Sequence, residues 1–158
     1  MPDLCRRTFL LSAALALPGG KAIASGPPHL RVFKNVGCTC CDAWVDHLRA
    51  AGLRATVTER PDLAPVRRAA RVPDDLAGCH TAFGDGLIIE GHVPAAAVTA
   101  FLDNPGHWRG IAVPGMPLGS PGMEVAGQRP EEYEIWTYND SGQKKLFGKG
   151  VGVDIQPA

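Results

Sequence analysis

Hydrophobic positions alternate in a short run near residue 30 and then switch to a helical period. Residues 30–34, Leu-Arg-Val-Phe-Lys, read as a strand, and Gly37 opens the turn that follows. From Cys41 onward, Trp44, Val45, Leu48 and Ala51 recur at helical spacing until Gly52 supplies a stop. Leu53, Ala55 and Val57 then face one side of a second predicted strand, with Arg54, Thr56 and Thr58 on the other. Pro61 opens a second predicted helix through Leu63, Val66, Ala69 and Ala70, which fades before Pro73. This order predicts a right-handed crossover with the first two strands parallel.

Beyond Cys79-His80, two short apolar runs, residues 81–83 and 87–89, flank Gly84-Asp85-Gly86, a hairpin signal. Pro94 suits the first turn of a third helix through Val98, Phe101 and Leu102, ending before Pro105. A βαβα unit followed by ββα is the layout of a thioredoxin-like, three-layer α/β domain. Its first strand-to-helix loop lies at the carboxyl edge of the sheet, where α/β proteins place their sites. Residues 110–127 carry Pro114, Pro117 and Pro121 with Gly115, Gly119, Gly122 and Gly127, and are expected to form no regular element. A loop of that length is usually a binding loop or a flexible segment. Residues 133–138 and 145–147 flank Asn139-Asp-Ser-Gly142, a second, C-terminal β-hairpin.

The first two dozen residues read as a removable export signal. Arg6-Arg7 gives a basic start, residues 9–17 are small or apolar, and Ala22-Ile23-Ala24 is an A-x-A cleavage pattern. The apolar run is far shorter than the roughly 20 residues of a membrane helix. The paired arginines followed by Thr8-Phe9-Leu10 resemble a twin-arginine signal, which exports folded proteins. Cleavage after Ala24 leaves residues 25–158 as one domain in the periplasm. Of 16 basic and 16 acidic side chains, the signal holds Arg6, Arg7 and Lys21 against Asp3, leaving 13 against 15. No basic stripe accompanies the sparse aromatics, so nothing speaks for nucleic acid as a partner.

The chemistry lies in the sulfur. Cys38-Thr39-Cys40-Cys41 sits where the first strand gives way to the first helix, and Cys79 precedes His80. An exported protein can keep disulfides, but a structural framework spreads its cysteines, whereas three are crowded here into one turn. Cys38 and Cys41 form a C-x-x-C pair at a helix start, where free N–H groups and the dipole favour a thiolate. Plain dithiol exchange would gain an unwanted competitor in Cys40. The loop before the third strand, which in thioredoxin-like enzymes carries a cis-proline beside the reactive pair, carries Cys79-His80 instead. Four thiolates are soft donors and select Cu(I), zinc or an iron–sulfur cluster. The C-x-C-C spacing fits neither zinc knuckles nor the usual cluster motifs, whereas Cu(I) accepts two or three thiolates in loose geometry. Metal binding is thus favoured over thiol–disulfide chemistry, with a purely structural pair of disulfides last, and all three stay open on the residues alone.

Met116 and Met123 are the methionines left after cleavage, both in the Pro/Gly loop. A thioether favours Cu(I) over zinc, though methionine also fills gaps in cores. Among the histidines, His80 is the first candidate ligand. His92 reads as a helix cap or a neighbour of the cluster, His47 as a surface or boundary residue, and His29 and His107 as solvated. Trp44 reads as packing, and Asp42 as a helix-start residue.

Residues 32–48 (Val-Phe-Lys-Asn-Val-Gly-Cys-Thr-Cys-Cys-Asp-Ala-Trp-Val-Asp-His-Leu) strongly resemble the CopG-type copper-resistance family of Gram-negative bacteria. So do Ala77-Gly-Cys-His-Thr-Ala82, Ile89-Glu-Gly-His-Val-Pro94 and the methionine loop from Ala112 to Glu124, in the same order. The resemblance implies a periplasmic thioredoxin-like domain with a multinuclear Cu(I) cluster, whose partners are copper ions and other copper-handling proteins. It implies Cys38, Cys40, Cys41 and Cys79 as metal ligands, with His80, Met116 and Met123 matching the family's motifs. Thr39 stands where many relatives carry glycine, which removes no donor. A redox step on copper or thiols is also implied, and catalytic turnover is left open.

Overall fold

The computed structural model describes residues 28–158; the expected export signal lies outside them. The chain runs β1 (His29–Asn35), α1 (Thr39–Ala50), β2 (Arg54–Arg60), α2 (Ala64–Ala70) and a 3₁₀ turn (Asp74–Leu76). It continues with β3 (His80–Gly84), β4 (Leu87–Glu90), α3 (Ala95–Asp103), β5 (Gly110–Ala112), β6 (Glu132–Tyr138), β7 (Lys144–Val151) and β8 (Asp154–Pro157). The described fold is therefore mixed α/β, with three helices and eight strands.

All eight strands join one sheet in the order β2-β1-β3-β4-β5-β6-β7-β8. β1 and β2 are parallel, as the crossover requires. β3 runs antiparallel to β1 with Lys34 opposite His80, and turns into β4 through the expected Gly84–Leu87 hairpin. Side chains leave a strand alternately to its two faces, so the sheet divides the interior into two apolar cores. On one face Leu30, Val32, Ala82, Ile89, Ile111 and Ile135 meet Trp44, Val45 and Leu48 of α1 and Val98 and Phe101 of α3. On the other, Ile88, Ala112 and Tyr138 meet Ala70 of α2 with Val72 and Leu76 beyond it. Trp44 is fully buried, and its Nε1 donates to the Val93 carbonyl at 2.8 Å, so the indole ties α1 to the segment entering α3.

Several expectations are corrected. α2 begins at Ala64 rather than Pro61, because the Asp62 carboxylate accepts the Ala64 N–H and Pro65 takes the opening turn. The run from residue 110 does start with a regular element: β5 pairs in parallel with β4 and antiparallel with β6. Three residues are too few to show a period, and a side chain at Gly110 would collide with the Tyr138 ring, so glycine marks a close approach rather than a loop. The C-terminal hairpin is no appendage, since β6 to β8 extend the same sheet. No helix among the described residues is long and apolar enough to cross a membrane.

Candidate metal centre

The cysteine turn is built from the end of β1. Gly37 takes φ +73°, Cys38 caps α1 in extended geometry, and Thr39 begins the helix. Cys40 and Cys41 thus occupy the first turn, where backbone N–H groups lack helical partners. Lys34 anchors this corner from a buried position. Its Nζ donates to Asp42 at 2.7 Å and to the Cys38 carbonyl at 3.4 Å, and pairs with Glu59 at 3.1 Å. The Asp42 hydrogen bond, against the opposing effect of burial, raises the Lys34 pKa, so the ammonium remains charged and holds strand, turn and helix together.

Cys79 arrives at the head of β3 and is clamped from the opposite face. The fully buried Glu90 on β4 accepts the Gly78 N–H at 2.8 Å and the Thr81 hydroxyl at 2.6 Å. Arg67 of α2 donates to Glu90 at 3.0 Å and to the Gly78 carbonyl at 2.5 Å. Burial pushes the Glu90 pKa up, and the bonds from Thr81, Gly78 and Arg67 oppose it. The residues flanking Cys79-His80 are therefore fixed by a carboxylate and a guanidinium.

With both segments held, the sulfurs converge. The Cys79 Sγ lies 3.3 Å from Cys38, 3.5 Å from Cys40 and 3.4 Å from Cys41. Cys38 and Cys40 are 3.4 Å apart, and all four donors fall within 4.8 Å of one another. Cys38 and Cys41 are joined as a disulfide across Cα atoms 5.4 Å apart, while Cys40 and Cys79 are free. This is the oxidised state of the corner. Burial chiefly, with the neighbouring Cys40 second, pushes the Cys79 thiol up to about 12, against the pull of Arg67. A metal entering here displaces a proton from Cys79.

A second constellation shares that sulfur. Cys79, His80 and His92 place a sulfur and two ring nitrogens within 4.8 Å of one another, with both imidazoles fully buried. Burial first, and then the proximity of His92, holds His80 well below the usual histidine range; burial also lowers His92. His80 stacks on Trp44 with ring centroids 4.1 Å apart, so the indole read as packing forms a wall of the site.

The proline/glycine loop encloses the same corner. Gly115 pairs with Gly78 beside Cys79, the Pro121 carbonyl meets His92 Nδ1 at 2.8 Å, and Gly122 abuts α1. A Cβ on Gly122 would stand 2.5 Å from the Cys40 carbonyl oxygen and 2.8 Å from the Trp44 nitrogen, which only glycine permits. Met123 is half-buried in this docked segment, whereas Met116 is 56% exposed. The N-terminus of α3 is capped by His47, whose Nε2 accepts the Ala95 N–H at 3.0 Å, and not by His92. His29 and His107 are exposed, as expected.

The sequence reading missed Lys34, Arg67 and Glu90. A single acid ending the apolar run Leu87-Ile-Ile-Glu90 was the available signal, because an acid on an otherwise buried strand needs a partner.

A family model described as a protein of unknown function, DUF411, matches residues 76–123, which span Cys79-His80, His92 and both methionines. Two solved structures of a copper resistance protein CopG also match. Form 2 is 37% identical, covering 83% of this chain and 99% of that one with a TM-score of 0.73. Form 1 is 36% identical, covering 84% and 99% with a TM-score of 0.72. No curated protein matches the chain.

Proposed function

The chain belongs to the family of the copper resistance protein CopG, and from that membership we propose that it holds Cu(I) in the periplasm through Cys38, Cys40, Cys41 and Cys79. One observation carries the reading: the sulfur of Cys79 reaches within 3.5 Å of three cysteines that lie some forty residues earlier. In the reduced state four soft donors meet at a corner that is only partly buried, a set that suits cuprous ions. Bridging sulfurs allow more than one ion, so the cluster is multinuclear. His80 and the thioethers of Met116 and Met123 complete the donor set, with the docked loop offering a route by which copper passes to other periplasmic copper-handling proteins. Holding Cu(I) among thiolates limits the free ion, and this serves copper tolerance. Residues 1–24 supply the export signal.

We read the portion from β1 to α3 as a thioredoxin-like unit. The order β2-β1-β3-β4, the parallel first pair, the helices on both faces and the cysteines at the first strand-to-helix turn support this. The oxidised Cys38–Cys41 pair couples copper to thiol state. As the bond closes, two thiolates lose two electrons to two Cu(II) ions, which become Cu(I), and the corner falls from four thiolates to two.

Anaerobic Cu(I) loading of the reduced protein, with copper counted per chain and affinity measured against a competing chelator, tests the reading. Cys40→Ser and Cys79→Ser are each expected to weaken binding at least tenfold. Unchanged affinity in both would overturn it. The disulfide favours one rival, a metal-free thiol–disulfide oxidoreductase acting on exported proteins. That rival predicts insulin reduction that depends on Cys38 and Cys41 and is indifferent to Cys40→Ser.

A further inference from the structure

The sheet is covered unevenly on its α2 side. α2 has only seven residues, and its end packs through Ala70 against Ile88, Ala112 and Tyr138. Phe33 of β1 and Phe83 of β3 are left only partly buried. They floor an open groove of about 600 Å³, with Pro65, Val66 and Ala69 as its helical wall. The two rings meet edge to face with centroids 5.6 Å apart. A guanidinium stands over each, Arg31 over Phe83 at 5.9 Å and Arg60 over Phe33 at 5.8 Å. Both arginines are exposed, and neither has a carboxylate within ion-pair reach among the described residues. Asp62 also lines the groove, but its carboxylate accepts the Ala64 N–H at 2.8 Å. Arginine stems commonly cover apolar surface. A guanidinium laid on a ring still keeps its edge N–H groups free, and that fork matches a carboxylate.

We propose that this groove docks an extended segment of a partner protein in which an aromatic side chain is flanked by carboxylates. The aromatic ring rests on Phe33 and Phe83 against Val66, and the carboxylates pair with Arg31 and Arg60. A small organic anion fits less well, because a ligand cleft encloses about 70–90% of its guest, whereas Arg31, Arg60, Pro65 and Ala69 leave this rim open to solvent. The chain's own amino-terminal segment is opposed by charge, since it brings Arg6, Arg7 and Lys21 against Asp3. The groove also adjoins the site. At its Arg60 end the Arg60 carbonyl accepts the Val36 N–H at 3.2 Å. Val36 is 66% exposed and lies two residues before Cys38. A segment leaving the groove at that end crosses Val36, so a docked partner sits beside the cysteine corner without occupying it. The contact needs no bound metal, and its failure would leave the cysteine reading standing.

The probe is the peptide Ser-Asp-Glu-Phe-Glu-Asp-Ser, blocked at both ends and titrated into the full chain with amide NMR as the readout. Shifts are expected within residues 31–33, 60–69 and 83, and binding should weaken as salt rises from about 0.05 to 0.5 M. Replacing the four acids of the peptide by lysine should cost at least tenfold in affinity, and replacing its phenylalanine by serine at least threefold. The double variant Arg31→Gln/Arg60→Gln changes two exposed side chains, so it should fold and load Cu(I) like the wild type while binding the acidic peptide at least fivefold more weakly. Equal binding of the lysine peptide, equal binding by the double variant, or shifts confined to other residues overturns the proposal. Two further outcomes also overturn it by naming another occupant. One is 2-naphthoate binding at least as tightly as the peptide, which makes the groove a small-molecule site. The other is a dimer in sedimentation that the double variant abolishes, which makes a second copy of this chain the guest.

Discussion

Glu90 offers the sharpest check on how the fold positions Cys79. In Glu90→Ala the Gly78 N–H, the Thr81 hydroxyl and the Arg67 Nε all lose their acceptor at once. Arg67 is only 26% exposed and retains its bond to the Gly78 carbonyl, so its charge is left largely enclosed without a counter-ion. Removing one partner of a buried pair typically costs about 3–5 kcal/mol. Glu90→Gln keeps one oxygen for Gly78 and Arg67 and presents an amide that Thr81 can accept from, so its cost should be about 1–2 kcal/mol. With a urea slope of about 1–3 kcal/mol per molar, the alanine variant should unfold at least 1 M earlier than the wild type. Phe101→Ala, in α3, serves as the control for general destabilisation, since emptying a buried phenylalanine site costs about 3–5 kcal/mol as well. At concentrations where both variants remain folded, Glu90→Ala should bind Cu(I) at least tenfold more weakly, and Phe101→Ala like the wild type. A Glu90→Ala penalty below about 1 kcal/mol, or equal copper affinity in the two variants, refutes the clamp.

Thiol counting on the unfolded oxidised chain from residue 25 onward, which excludes Cys5, should find Cys40 and Cys79 reactive, and Cys38 and Cys41 only after reduction; four reactive thiols before reduction would refute the disulfide. His80 and His92 have depressed pKa values when folded, so the unfolded chain binds the extra protons below the ordinary value of 6.5. Stability of the metal-free protein should therefore be complete above that pH and fall below it, by up to about 1.4 kcal/mol per pH unit for each histidine. Glu90, raised in the fold, acts in the opposite sense, so the comparison is with His92→Asn, whose urea midpoint between pH 7.5 and 5.5 should fall less than that of the wild type. An identical pH dependence would refute the burial argument. Gly122→Ala should lift the loop from α1, because φ +87° is strained for alanine and the methyl would strike the Cys40 carbonyl. Faster proteolysis within residues 114–123 and a stability loss above about 1 kcal/mol are expected, and wild-type values for both would refute the docking.

The parts of the molecule legible in the sequence are those with a period or a turn code. β1, α1, the Gly84-Asp85-Gly86 hairpin and α3 carry their burial pattern in their own residues. β5 and β8 do not, since both are short and owe their existence to partners distant in the chain. The same divide runs through the site. The cysteines and His80 declare themselves by chemistry, whereas Lys34, Arg67 and Glu90 matter through partners that only the folded chain supplies. His92 was ambiguous for a related reason: whether its free nitrogen faces inward depends on the Pro121 carbonyl, twenty-nine residues away.

The placement of Cys79 is finally a matter of strand register. β3 starts at His80 opposite Lys34, four residues before Cys38, so the β1–β3 pairing delivers Cys79 to the turn where β1 ends. A slip of one residue would turn every β3 side chain to the other face. His80 would leave Trp44 for the α2 side, Thr81 would lose the Glu90 oxygen, and the Cys79 sulfur would swing away from the disulfide it now touches. Ala82, fully buried against the α1 core, and Phe83, packed on Phe33 at 5.6 Å across the opposite face, both resist that slip. The apolar alternation of a five-residue strand thus sets which donors meet, and the clamp from Glu90 and Arg67 fixes the strand's leading end.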